Sequence, residues 1–169
     1  KVEKLDEVVV TAVPLGRREV DLAQPATVLT GDDLRRKRAA SIGDTLAGET
    51  GVHSSAFGPG AGRPVIRGLD GPRVRVLENG VGTLDVSTLS PDHAVTTEPL
   101  FAHRVEILRG PASLLYGSGA IGGVVNVTSN LVPDAVPEAM TGTAELRAGS
   151  ANRERSAAAE FTAGTGPFA

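Results

Sequence analysis

R-V-E-I-L-R-G-P-A-S-L-L-Y-G-S-G-A-I-G-G-V-V-N-V, running from Arg104 to Val127, decides how this chain reads. It opens with Val105 and Ile107 facing one way and Arg104 and Glu106 the other, the period-2 pattern of a half-buried strand. Gly110 breaks that strand, and Pro111 suits the first position of a short helix because its missing N–H has no partner there. Leu114, Leu115 and Tyr116 supply an apolar face, and Gly117 ends the turn. Four glycines, Gly117, Gly119, Gly122 and Gly123, then lead into a β-branched strand over Val124-Val125-Asn126-Val127.

Gly117, Gly119 and Gly122 also spell G-x-G-x-x-G, which invites a dinucleotide-binding reading. That fingerprint requires a strand before the glycines and a helix after them, so that a pyrophosphate meets the helix N-terminus. Here the order is reversed, and no acid lies near the expected distance downstream. A soluble module whose glycine loop grips a phosphate or nucleotide is thus the rival reading from another class. A hydrolase has no support, for there is no Cys and no G-x-S-x-G.

The same string resembles the signature of the plug domain of TonB-dependent outer-membrane receptors. R-G-P, L-Y-G and G-G-V-V-N-V occur in order and at close spacing, carried by Arg104, Glu106, Arg109, Gly110, Pro111, Tyr116, Gly117, Gly122, Gly123 and Asn126. The resemblance implies an α+β fold: a plug domain with a small mixed β-sheet and short helices, followed by the first β-hairpin of a truncated transmembrane β-barrel. It implies a gated transporter and no enzyme, lodged in the outer membrane with the plug inside its own barrel and the N-terminus facing the periplasm. TonB, energised across the inner membrane, would pull on the N-terminal segment.

Composition agrees with a turn-rich aliphatic core. Of 169 residues, 21 are Gly and 11 Pro, aromatics are 3%, and the net charge of −3 hides 17 basic residues scattered along the chain. No basic block alternates with aromatics, so nucleic acid is not an expected partner. Cysteine is absent, which leaves the redox compartment open. The chain starts K-V-E-K-L-D-E, so an exported protein would be seen here in mature form. Gly110 to Pro133 is uncharged, but its glycines and prolines argue against a membrane helix.

Near the N-terminus, Asp6-Glu7-Val8-Val9-Val10-Thr11 joins two acids to an apolar β-branched run. On pattern it is a first strand. The resemblance makes these residues overlap or adjoin the TonB box, which would pair with TonB by strand addition. Both uses can hold in turn.

Gln24 to Leu29 reads as a strand. Thr30 with Asp33 predicts a capping box and a helix over about 31–38, and Ser41 with Asp44 repeats the device before Ile42 and Leu46. Pro64-Val65-Ile66-Arg67-Gly68-Leu69 resembles the plug's I-R-G strand, and Asn79-Gly80 predicts a type I′ hairpin. Arg73 and Arg75 are either the wet face of that sheet or, by the resemblance, a face that meets charged residues lining the barrel.

His53 and His103 read as structural or exposed side chains without converging ligands. Asp92-His93 differs, because it sets a carboxylate beside an imidazole at a Pro91 turn, two ligand types suited to zinc or another borderline ion. Such a pair also caps turns, and a complete site needs ligands from elsewhere. D-V-S-T-L-S-P-D-H-A resembles the corresponding loop of zinc-uptake receptors of the ZnuD type, which implies a plug that takes up a scarce metal, zinc first. Haem stays open as a transported ligand, since a neutral His can bind its iron, as does a siderophore. No obligatory cofactor is expected.

Past Val127, residues 129–139 are polar and carry Pro133 and Pro137. From 141 two alternating strands follow, with Ala144, Leu146 and Ala148 on one face of the first. In the second, Arg155, Ala157, Ala159, Phe161 and Ala163 oppose Glu154, Ser156, Ala158, Glu160 and Thr162. Apolar-out and polar-in alternation is the pattern of a transmembrane hairpin, with a soluble hairpin as its rival. The expected organisation is a TonB-box-like segment at 1–12, plug at 13–130, linker at 131–140 and barrel hairpin at 141–169.

Overall fold

The computed structural model describes residues 9–10, 17–18, 25–55, 57–110, 116–129, 131, 135–137, 139–150 and 153–164. Its strands are β1 (Val9–Val10), β2 (Arg17–Arg18), β3 (Ala26–Thr30), β4 (Val52–Ser54), β5 (Pro64–Ile66), β6 (Val74–Glu78), β7 (Val81–Gly82), β8 (Ala102–Arg109), β9 (Gly123–Ser129), β10 (Thr141–Gly149) and β11 (Glu154–Thr162). Two short helices, α1 (Gly31–Lys37) and α2 (Ile42–Leu46), lie between β3 and β4.

The centre is a five-stranded mixed sheet in the order β3-β8-β9-β6-β7. β6 and β9 run parallel, and the other neighbours are antiparallel. Because β7 and β8 lie on opposite sides of the β6–β9 pair, the chain between them must cross from one to the other, and that crossing carries residues 83–101. Asn79 and Gly80 take φ of 49° and 79°, the two left-handed residues of the predicted turn.

One face of the sheet packs Val74, Val76, Val105, Ile107, Val125 and Val127 against Leu34, Ile42, Leu46, Val52 and Ile66 of the helices and of β4 and β5. The other face buries Leu77, Leu108 and Val124 with Val10 and Ala120. This second layer corrects the reading of β8 as half-buried. Glu106 is 0% exposed, and Arg109 and Asn126 are buried with it. A strand in the middle of a sheet covered on both sides has no wet face, whatever its alternation. Glu106 is kept satisfied there by Arg104, whose Nε donates to Oε1 at 2.8 Å.

The two predicted caps part company. Ser41 Oγ accepts from the Asp44 N–H at 3.1 Å and donates to Asp44 Oδ2 at 2.7 Å. Thr30 makes no side-chain cap bond, and the Asp33 carboxylate pairs instead with Arg36 one turn on. We expect Ser41→Ala to cost about 1 kcal/mol in urea denaturation, and Thr30→Ala to stay within about 0.5 kcal/mol. Equal losses would mean that the Ser41 cap is energetically silent.

The β10–β11 hairpin is inverted relative to a water-soluble one. Its apolar row is exposed, with Leu146 at 85% and Phe161 at 73%. Its polar row faces the domain: Glu145 pairs with Arg38, Arg147 Nη1 donates to the Ala39 carbonyl at 2.8 Å, and Glu160 meets His103 Nε2 at 3.1 Å. Water alone would drive the opposite arrangement, since burial of apolar area is what stabilises a soluble hairpin.

Candidate functional site

The crossing segment after β7 is anchored before it reaches Asp92. Arg63, 1% exposed, donates from Nη1 to Asp85 Oδ2 at 3.1 Å and to the Ser87 hydroxyl, and from Nη2 to the Gly71 carbonyl at 3.2 Å. Asp85 Oδ1 accepts in turn from the Ser87 N–H at 2.9 Å. One guanidinium therefore ties together two 3₁₀ turns, Gly71–Arg73 and Val86–Thr88. Sequence reasoning passed over Arg63; its only local signal was the Asp85-x-Ser87 spacing of an Asx turn.

Around this anchor Leu84, Val86 and Leu89 stand out at 97%, 57% and 87%, and residues 91–94 are exposed before the chain is buried again at Val95 and Thr97. The Ser90 hydroxyl then donates to Asp92 Oδ1 at 2.5 Å, and His93 Nδ1 lies 3.1 Å from that oxygen. The Ser90 hydroxyl first, and His93 second, hold the Asp92 carboxyl below the usual carboxylate range. With Nδ1 engaged, the imidazole keeps Nε2 without a protein partner among the described residues, the way a carboxylate orients a ligand histidine. Asp92 and His93 are thus brought together at the surface, but no group of three His, Asp or Glu that could hold a metal occurs among the described residues. His53 is exposed on β4, and His103 is engaged with Glu160.

Of the segment expected to meet TonB, Asp6, Glu7, Val8 and Thr11 lie outside the described residues, and Val9–Val10 form β1. β1 pairs with β2, and Val10 is fully buried against Leu77, Leu108, Ala120 and Val124.

Of the signature residues, Glu106 and Asn126 share the sheet face of this second core, and Arg109 and Gly123 lie on the opposite face. Asn126 stands opposite Glu106 in the β8–β9 register, and its Oδ1 accepts from the Gly80 N–H at 2.9 Å, clasping the β6–β7 turn. Arg109 donates to the Thr50 carbonyl and to Thr27 Oγ1, each at 2.8 Å. The Gly110 N–H donates to the Gly122 carbonyl at 3.1 Å, and the Gly122 N–H to the Arg73 carbonyl at 2.8 Å, so these backbones touch directly. A Cβ on Gly122 would stand 2.9 Å from the Leu69 Cβ, which is why no side chain fits. Tyr116 is half-buried; burial, then the Glu106 charge, raise its hydroxyl pKa. Pro111 and the helix expected after it lie outside the described residues. Gly117 is followed by a 3₁₀ turn, Ser118–Ala120, and then by β9, which leaves no helix N-terminus behind the glycines for a phosphate.

Solved structures with this fold are described as siderophore receptors and a copper transporter. The siderophore receptor PirA from Acinetobacter baumannii is 26% identical over 72% of this chain and 19% of its own, with a TM-score of 0.56. The ferric enterobactin receptor PfeA from Pseudomonas aeruginosa matches at 21% over 74% of this chain and 20% of its own, TM-score 0.56. The copper transporter OprC matches at 22% over 72% and 18%, TM-score 0.55. The chain thus spans about a fifth of the length of these receptors. Residues 18–124 match the family model described as TonB-dependent Receptor Plug Domain, and the chain belongs to that family.

Proposed function

We propose that this chain is the gate of a TonB-energised outer-membrane receptor that takes up a scarce metal, zinc first. On this reading residues 1–12 couple to TonB, 13–130 close the lumen, 131–140 link, and 141–169 begin the barrel wall. The observation that carries the receptor reading is the inverted hairpin, whose exposed Leu146 and Phe161 suit lipid while Glu145, Arg147 and Glu160 line a lumen around the domain. Coupling would require Val10 to leave the second core before its strand could pair with a partner, which fits a short β1–β2 ladder.

The metal is argued from Asp92 and His93, a carboxylate kept ionised and an imidazole with one nitrogen engaged. The remaining ligands would come from the barrel. A siderophore is the second reading, favoured by the match to the siderophore receptor PirA at 26% identity. In the full-length receptor, Asp92→Ala/His93→Ala is expected to lower zinc affinity about tenfold or more, read as zinc retained after dialysis. Equal zinc in wild type and double variant would return the pair to the role of turn residues.

A further inference from the structure

Asn79 and Gly80 close the turn between β6 and β7, and an Asn-Gly pair is open to attack on itself. Glycine has no side chain to keep its amide nitrogen away from the Cγ of the asparagine before it. The reaction is intramolecular, so it asks for water and hydroxide and for no enzyme. Its rate depends on whether the two reacting groups are free to meet.

In the folded chain both are fastened to β9. The Asn79 N–H donates to the Val127 carbonyl at 2.9 Å, just past the Glu78–Val127 pair that ends the parallel β6–β9 ladder. The next rung is made by the side chain: the Ser129 N–H donates to Asn79 Oδ1 at 3.0 Å, and Asn79 Nδ2 donates to Ser129 Oγ at 3.3 Å. Asn126 Oδ1 takes the Gly80 N–H at 2.9 Å. The amide that would be attacked is therefore held at its oxygen and its nitrogen, and the nitrogen that would attack is held through its hydrogen. Asn126 and Ser129 are themselves buried, which makes β9 a fixed clasp. Every one of these bonds lies within the central sheet and its turn.

We propose that Asn79 is a site of spontaneous deamidation held closed by Asn126 and Ser129, and that opening of the β7 end of the sheet exposes it. Once the clasp opens, hydroxide removes the Gly80 amide proton and the nitrogen bonds to Asn79 Cγ. The Cγ–Nδ2 bond breaks, and ammonia leaves with a proton from water. Water then opens the succinimide at either carbonyl, giving aspartate or isoaspartate. The two products differ in what they leave of the turn. Aspartate keeps one oxygen for the Ser129 N–H and a second that accepts from the Ser129 hydroxyl, and it tolerates the left-handed φ of 49°. Isoaspartate routes the main chain through Cβ and Cγ, which lengthens the turn and draws the carbonyl that answered Ser129 into the peptide bond. The crossing segment that carries Asp92 and His93 leaves from β7, so this damage loosens its origin.

The test is mass spectrometry of the full-length receptor aged at mildly alkaline pH, folded and in urea, following conversion of Asn79 to acid. The folded wild type is expected to convert at least about tenfold more slowly than the unfolded chain. Asn126→Ala is expected to raise the folded rate about fivefold and Ser129→Ala about twofold, with the rate in urea unchanged in both. Ser129→Ala decides the matter if Asn126→Ala folds poorly. Ser41→Ala, which removes a cap on α2 away from the turn, is the control and should leave the rate at the wild-type value. A folded wild type that converts as fast as the unfolded chain overturns the proposal, and so does an unchanged folded rate in both clasp variants. Acceleration by Ser41→Ala equal to that by Asn126→Ala overturns it as well, because the protection would then be global stability and not the clasp. Asn79→Asp should melt with the wild type and aged material rich in isoaspartate should melt lower; the reverse order overturns the assignment of the damage to isoaspartate.

Discussion

Arg63→Ala is expected to cost about 3–5 kcal/mol and to release the crossing segment from the domain. The side chains of Arg63 and Asp85 are 2% and 5% exposed, so removing the cation leaves a carboxylate in the interior with only Ser87 to answer it. The Gly71 carbonyl loses its donor at the same stroke. Urea denaturation of the chain reads the stability loss, and amide exchange over residues 83–95 reads the release. Replacing both partners, as in Arg63→Met/Asp85→Leu, should cost less than the single substitution, because no charge is then stranded. A single-substitution loss below about 1 kcal/mol, or a double variant worse than either single, would show that the pair anchors nothing.

Gly123→Ala should destabilise by about 2–4 kcal/mol. Gly123 has φ of +148°, and a Cβ there would collide with the Leu108 carbonyl and stand 3.0 Å from Ile66 Cδ1. The residue sits where β9 is paired on both sides, with Arg109 of β8 and Val74 of β6, so neither neighbour can give way without breaking a ladder. Gly117 is the control, with φ of +80° and nothing within 4 Å of an added Cβ. Gly117→Ala should therefore cost only the backbone strain, about 1 kcal/mol. Equal losses at the two positions would mean that the close approach at Gly123 has no energetic weight.

The fold class was legible because its elements are local. A strand over 104–107, two left-handed positions at Asn79 and Gly80, and the Ser41 cap each depend on neighbours a few residues away, and each is found as expected. The Thr30 cap failed for an equally local reason, since Asp33 had a competing partner in Arg36. The candidate site was half legible. Asp92 and His93 are adjacent in sequence, so their pairing could be read directly, whereas Arg63 finds Asp85 across 22 residues.

Taken by itself, then, the sequence of this protein determined its strands, turns and family, all properties of short windows in which backbone preference and side-chain period decide the outcome. Only the tertiary structure decided what is buried. Glu106 and Val10 go into the second core, and the polar row of the last hairpin turns toward the domain while Leu146 and Phe161 turn away. Burial depends on what a distant segment brings to the same face, and alternation says only that a strand has two faces, not what will cover each.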